Sequence, residues 1–232
     1  WHNESVFHLT QRRYCELLGP YAEPGDLMAR LLSVEQRNLR LYGYGIKGFT
    51  LSMIETALQV TDERAPPSLI ATILEFGRAM LEHPIEPLPK VSETLQVLAG
   101  THRLVLITKG DLLDQEQKLA RSRLGEHFSA VEIVSEKSAA AYRTIFLRHG
   151  ASAGSAAMAG NSLRSDVIPA IEAGYFGVHI PYALLWHHEH AEPPAGSPLY
   201  ARLESFDELP RWLANASPTG ATVSPSTISI GT

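Results

Sequence analysis

The chain has almost no cysteine: Cys15 is the only one among its 232 residues. No internal disulfide can form, which fits a reducing compartment and predicts a cytoplasmic protein. Positive charge is also short, since 20 Lys and Arg stand against 25 Asp and Glu for a formal net charge of -5. Neither nucleic acid nor an anionic membrane attracts an acidic protein, so neither is expected as a partner. No apolar run is long enough to span a bilayer. What the chain does have is a hydrophobic fraction of 44%, suited to a sizeable core. Its length allows one large domain or a core with an inserted module.

The pattern divides the chain at Pro84. From Glu4 to Glu82 it is helical, with Val6, Leu9 and Tyr14 on one amphipathic run and Leu27, Leu31 and Leu32 opening another. Leu51, Ile54 and Leu58 share a helix face, as do Ile70, Ile73, Phe76 and Met80. Breaks at Gly19-Pro20, Pro24-Gly25, Gly43 to Gly48 and Pro66-Pro67 separate four or five helices. The expected division is a lead-in over 1–9, a helical module over 10–85, an αβα core over 86–213 and a disordered tail over 214–232. The tail expectation rests on its Ser, Thr, Pro and Gly content.

Beyond Pro84, Pro87 and Pro89 the elements alternate. Helices are predicted at Val91–Leu98, Asp111–Leu124, Ser138–His149, Ser165–Ala173 and Phe206–Leu213. Strands are predicted at Arg103–Ile107, Val131–Val134, Ala156–Ala159 and Gly177–Ile180. Such alternation implies right-handed βαβ units and a parallel sheet covered on both faces, an α/β Rossmann-like fold. Ligands of such sheets bind at the carboxyl ends of the strands.

Three stretches fall at those ends: Leu106-Ile107-Thr108-Lys109-Gly110-Asp111, Ser135-Glu136-Lys137, and Gly160-Asn161-Ser162-Leu163-Arg164-Ser165-Asp166-Val167. The Thr108 hydroxyl, joined by the amides of Lys109 and Gly110, suits a phosphate oxygen. Taken alone, Thr108 reads first as a helix cap. Lys137 sits where the positive end of a helix dipole opposes it, so something negative should compensate it. Taken alone it reads as a solvated surface lysine. Asn161 and Asp166 flank a helix start with short oxygen ligands of the kind Mg²⁺ accepts. Asp166 alone reads as a residue that stabilises the helix it opens.

In this order the three stretches resemble the second, third and fourth motifs of the haloacid dehalogenase superfamily, in its phosphatase-like branch with a helical cap. Pro169, Ala173 and Gly174 continue the fourth motif's helix, and Ile180-Pro181-Tyr182, Trp186 and Glu189 resemble the following strand and loop. The resemblance covers Trp1 to Leu213. It implies a hydrolase with Thr108 and Lys137 as catalytic residues and a phosphate held by Thr108, Lys109, Gly110 and Lys137. Asp166 and Asn161 would hold Mg²⁺, although most relatives carry Asp at the position of Asn161. The partner expected is a small phosphorylated metabolite, the assembly a monomer or homodimer.

The family's nucleophile is an aspartate on a first strand, with a second aspartate two residues later as general acid and base. That motif would end just before Trp1. The expectation is therefore that the central first strand and its nucleophile lie upstream of Trp1. The strands ending near Thr108 and Gly160 should then be split by an empty slot or closed by rearrangement. The implied reaction is Mg²⁺-dependent hydrolysis of a phosphomonoester through an aspartyl-phosphate, with the cap closing over the site. A 2-haloacid dehalogenase without metal is one alternative, and a non-catalytic binding or regulatory protein with the same fold is another.

Other candidates read as weaker. His187, His188, Glu189 and His190 lack a metal-site spacing. Arg37, Arg40, Tyr42, Tyr44 and Lys47 either touch substrate or pack a turn, with substrate contact the expectation. Cys15 beside Tyr14 and Leu17 is expected to pack. Tyr21, Trp186 and Trp212 are expected in core or edge packing.

Overall fold

A computed structural model of the chain describes residues 3–182, 191–215 and 227–231. Two units emerge: His2–Ile85 with Gly110–Gln117, and Glu86–Lys109 with Lys118–Thr232.

The first unit is built on four helices, α1 (Asn3–Leu18), α2 (Pro24–Tyr42), α3 (Ile46–Val60) and α4 (Pro67–Glu82). Proline opens α2 and α4, where its missing N–H costs nothing. Tyr14, Leu18, Leu27, Leu31, Phe49, Met53, Ile73 and Phe76 form the buried core. The Tyr14 hydroxyl donates to the Met53 carbonyl at 2.7 Å, tying α1 to α3. Cys15 packs against this core. The expected faces need correction in two helices. Leu9 is exposed on α1, and Leu51 and Leu58 are exposed on α3. The buried stripe of α3 is instead Ile46, Phe49, Thr50, Met53 and Ala57. Thr50 and Thr56 enter it because their hydroxyls donate to the carbonyls of Ile46 and Ser52, each at 2.8 Å, within the helix.

The second unit alternates strand and helix: α5 (Val91–Ala99), β1 (Arg103–Lys109), α6 (Leu112–Ser122, whose first residues group with the helical unit), β2 (Ala130–Val134), α7 (Ala139–Arg148), β3 (Ala156–Gly160), α8 (Ile168–Glu172), β4 (Phe176–His179), β5 (Tyr200–Arg202), α9 (Leu209–Asn215) and β6 (Thr227–Gly231). A π-helical turn, Leu163–Val167, precedes α8, where an uninterrupted α-helix from Ser165 was expected. The six strands form one sheet in the order β2-β1-β6-β3-β4-β5, and every pairing is parallel. One face packs Leu104, Ala157, Ala159, Ile228 and Ile230 against Leu95 and Leu98 of α5 and Leu209 and Leu213 of α9. The other packs Val105, Ile107 and Met158 against Tyr142, Ile145 and Phe146 of α7 and Ala170 of α8. Trp212 meets Phe176 edge-on, with ring centroids 5.9 Å apart.

β6 overturns two expectations. Residues 227–231 belong to the tail expected to be disordered, yet they form a central strand. The sheet is neither split nor closed by direct pairing of β1 with β3. β6 lies between them, with Leu106 and Ala159 both opposite Ile230, and Ile107 opposite Gly231. The physical reason is the cost of the alternative. Without β6, interior N–H and C=O groups of β1 and β3 would be unpaired, at about 1–3 kcal/mol each. Alternation in Thr-Ile-Ser-Ile-Gly puts Ile228 and Ile230 on one face, and Ser229 and Gly231 on the other.

Candidate active site

Lys137 and Asp166 form the centre. Lys137 follows β2 and stands just before Ser138, which caps α7 by accepting from the Ala141 N–H at 3.2 Å. Its Nζ donates to Asp166 Oδ1 at 2.7 Å, and both side chains are 2% exposed. The compensating negative charge expected for this lysine is therefore Asp166. The other carboxylate oxygen, Oδ2, accepts the Ser162 N–H at 3.1 Å. Ser162 in turn accepts the Ser165 N–H on its hydroxyl at 2.9 Å, closing the turn 162–166 on itself.

Two glycines let Asp166 sit where it does. A Cβ on Gly231 would approach Asp166 Oδ1 to 2.5 Å, and one on Gly160 would collide with Oδ2. Asp166 is thus inserted against the ends of β3 and β6. Lys109, at the end of β1, donates from Nζ to Ser165 Oγ at 2.8 Å. The Tyr142 hydroxyl of α7 donates to the Ser165 carbonyl at 2.9 Å. Two lysines from different strand ends therefore converge on Ser165 and Asp166. Thr108 is opposite Ile133 and next to Ile107, the partner of Gly231, so it lies at the same carboxyl edge. Thr108, Lys137 and Asp166 are all buried in this arrangement rather than open to solvent.

Asn161 is not joined to Asp166. Its backbone carbonyl accepts from His179 Nε2 at 3.2 Å. Burial holds the His179 imidazole below its usual pKa, with the hydrogen bond to the Asn161 carbonyl acting the other way. Its Nδ1 is buried without a hydrogen-bond partner among the described residues. Sequence reading missed His179, Tyr142, Ser162, Ser165 and Gly231. Ser162 had a signal, a short polar residue three positions before a second serine at a helix start. The others had none, because their roles depend on pairing between distant strands.

Among the charged candidates of the helical unit, Arg37 and Lys47 have partners within that unit. Arg37 pairs with Glu55, and Asn38 also donates to Glu55. Lys47 pairs with Asp111 at 2.8 Å within the helical unit. Asp111 caps α6 by accepting the Asp114 N–H at 3.1 Å. The Lys47 hydrogen bond, with help from that cap, holds the Asp111 carboxyl below its ordinary range. His187, His188, Glu189, His190 and Trp186 lie outside the described residues. No helix among the described residues is long and apolar enough to cross a membrane.

The donors at the centre do not suit Mg²⁺. That ion demands an octahedral oxygen set and keeps several of its waters. Here one Asp166 oxygen carries an ammonium and the other an amide N–H, and the side chain has no open face for waters. Among the described residues no group of three or more His, Cys, Asp or Glu is placed to hold a metal.

No protein-family model matches the chain, and no curated protein does. Solved structures do match. A haloacid dehalogenase-like family hydrolase from Xanthomonas campestris is 37% identical, with a TM-score of 0.83 over 93% of this chain and 86% of that one. A 2-haloacid dehalogenase from Pseudomonas syringae shares 17% identity and a TM-score of 0.57 over 93% of this chain and 94% of its own. A phosphatase of the same superfamily from Thermococcus onnurineus shares 22% and 0.55, covering 91% of each chain. The last two show the fold alone, whereas the Xanthomonas protein matches in sequence as well. This chain belongs to the haloacid dehalogenase-like hydrolase family.

Proposed function

We propose that this carboxyl edge is a phosphoryl site, and that the family chemistry it serves is phosphomonoester hydrolysis through an aspartyl-phosphate. The observation that carries the reading is the buried Lys137–Asp166 pair, at the same strand ends as Thr108 and cross-tied through Lys109. Phosphoryl transfer asks a protein mainly for positioning and for neutralisation of negative charge. The Thr108 hydroxyl and the amides of Lys109 and Gly110 would bind non-reacting oxygens. The Lys137 ammonium would neutralise the phosphoryl group, with Asp166 fixing its position. The substrate class is a small phosphorylated metabolite.

Turnover also needs a carboxylate nucleophile, and Thr227-Ile-Ser-Ile-Gly231 carries none. β6 stands where the family's nucleophile-bearing strand would stand. That observation favours a second reading, a protein that binds phosphate esters without hydrolysing them. The haloacid reading needs no metal at the centre. A panel of phosphomonoesters and 2-haloacids, assayed with and without Mg²⁺, separates the three. Phosphate release supports the hydrolase, and ester binding without release supports the binding protein. Chloride release from a haloacid would replace both.

A further inference from the structure

We propose that Lys137 takes the place of a divalent cation on Asp166, so that this centre holds its anionic ligand by ammonium charge and not through a metal. The proposal rests on the phosphoryl reading for the identity of the anion, but its core concerns only Lys137 and Asp166. Three observations carry it. Asp166 has both oxygens engaged, Oδ1 by the Lys137 Nζ at 2.7 Å and Oδ2 by the Ser162 N–H at 3.1 Å. It is wedged against Gly160 and Gly231, where not even a Cβ could be added. A second ammonium, Lys109, reaches Ser165, one residue away.

A divalent ion entering there would meet the Lys137 and Lys109 ammoniums beside Asp166. An anion would meet the opposite field. The sheet is what fixes this balance. The ends of β3 and β6 bring Gly160 and Gly231 against the Asp166 carboxylate.

Mn²⁺ serves as the probe, since it occupies Mg²⁺ sites and broadens nearby NMR signals. In the full chain, the amide signals of residues 160–166 should not broaden selectively in stoichiometric Mn²⁺. Inorganic phosphate should shift the Thr108 to Gly110 amides equally with EDTA or with Mg²⁺. Lys137→Met should bind Mn²⁺ about tenfold more tightly than the parent, the effect of ~1.4 kcal/mol. Selective broadening of 160–166 in the parent chain would overturn the proposal, as would phosphate binding that requires Mg²⁺. The broadening measurement needs no variant, so it decides the matter even if Lys137→Met does not fold. Phosphate binding absent in every condition would sink the phosphoryl reading while the Mn²⁺ result still judges the Lys137–Asp166 pair.

Discussion

The described ion pairs of the helical unit all lie at the surface, whereas one pair of the αβα unit is fully buried. In the helical unit Arg37–Glu55 and Lys47–Asp111 lie at the surface, with side chains 53% and 39%, and 52% and 30% exposed. In the αβα unit Lys137–Asp166 is 2% exposed on both sides. Exposed pairs contribute at most about 1 kcal/mol, because water screens them and two long side chains must be held still. A buried pair costs several kcal/mol of desolvation per ion, which the attraction merely offsets, and apolar residues of equal volume would often serve stability better. The surface pairs of the helical unit therefore need no function to explain them. The buried pair at the strand ends needs one, and the proposed phosphoryl site would supply it.

The largest expected effect breaks the buried pair. Lys137→Ala should cost about 3–5 kcal/mol by chemical denaturation, because Asp166 is left charged and buried. Replacing both residues, Lys137→Met with Asp166→Leu, should recover most of that loss while abolishing phosphate binding. A single-variant cost of the size seen for exposed pairs would erase the contrast between the units.

Next comes the strand that frames the pair. Ile228→Ala in β6 should cost about 2–5 kcal/mol, the usual range for a fully buried isoleucine. Hydrogen exchange at 104–107 and 156–160 should accelerate with it, whereas the helices α1 to α4 should be unaffected. Exchange unchanged at both neighbouring strands would mean that β6 does not pair there. A smaller effect, about 1–3 kcal/mol, is expected for Gly231→Ala, since its Cβ overpacks Asp166 Oδ1. A thermal melt matching the parent would show that Asp166 has room to move.

The smallest effect belongs to the helical unit. Asp111→Asn should change stability by no more than ~1 kcal/mol, and less at high salt. The Asp111 carboxyl is held below its ordinary range chiefly by the Lys47 hydrogen bond. Its contribution is therefore complete above the unfolded value of ~3.9 and disappears as pH falls through the depressed folded value. The variant should be closest to the parent in strong acid and diverge from it above about pH 4. A difference that grew toward acid would reverse the assignment.

Much of this was legible in the sequence, and the exceptions have a common cause. The strand at Arg103 to Lys109 reads clearly because five consecutive residues, Leu104 to Thr108, are buried, as a central parallel strand requires. Thr108, Lys137 and Asp166 were singled out because each lies at or just after a strand end. β6 was illegible. Thr-Ile-Ser-Ile-Gly in a Ser- and Pro-rich tail has weak local preference, and pairing on both sides selects it as a strand. Leu51 and Leu58 misled for a related reason. They are spaced as a helix face, but α3 buries the face carrying Phe49, Met53 and Ala57, with Thr50 and Thr56 satisfied inside the helix. Gly231 carried no signal, because its importance is the space it leaves for a residue far away in sequence.

The most direct test of the account is a calorimetric titration of the full chain with inorganic phosphate, in EDTA, beside the Thr108→Val variant. Thr108 is buried at the strand end, and valine keeps its shape while removing the hydroxyl. The account predicts saturable binding by the parent and a loss of about tenfold or more in the variant, the size of one hydrogen bond to a charged group at ~1.5–3 kcal/mol. Equal phosphate affinity in the two proteins, or none in the parent, would contradict it.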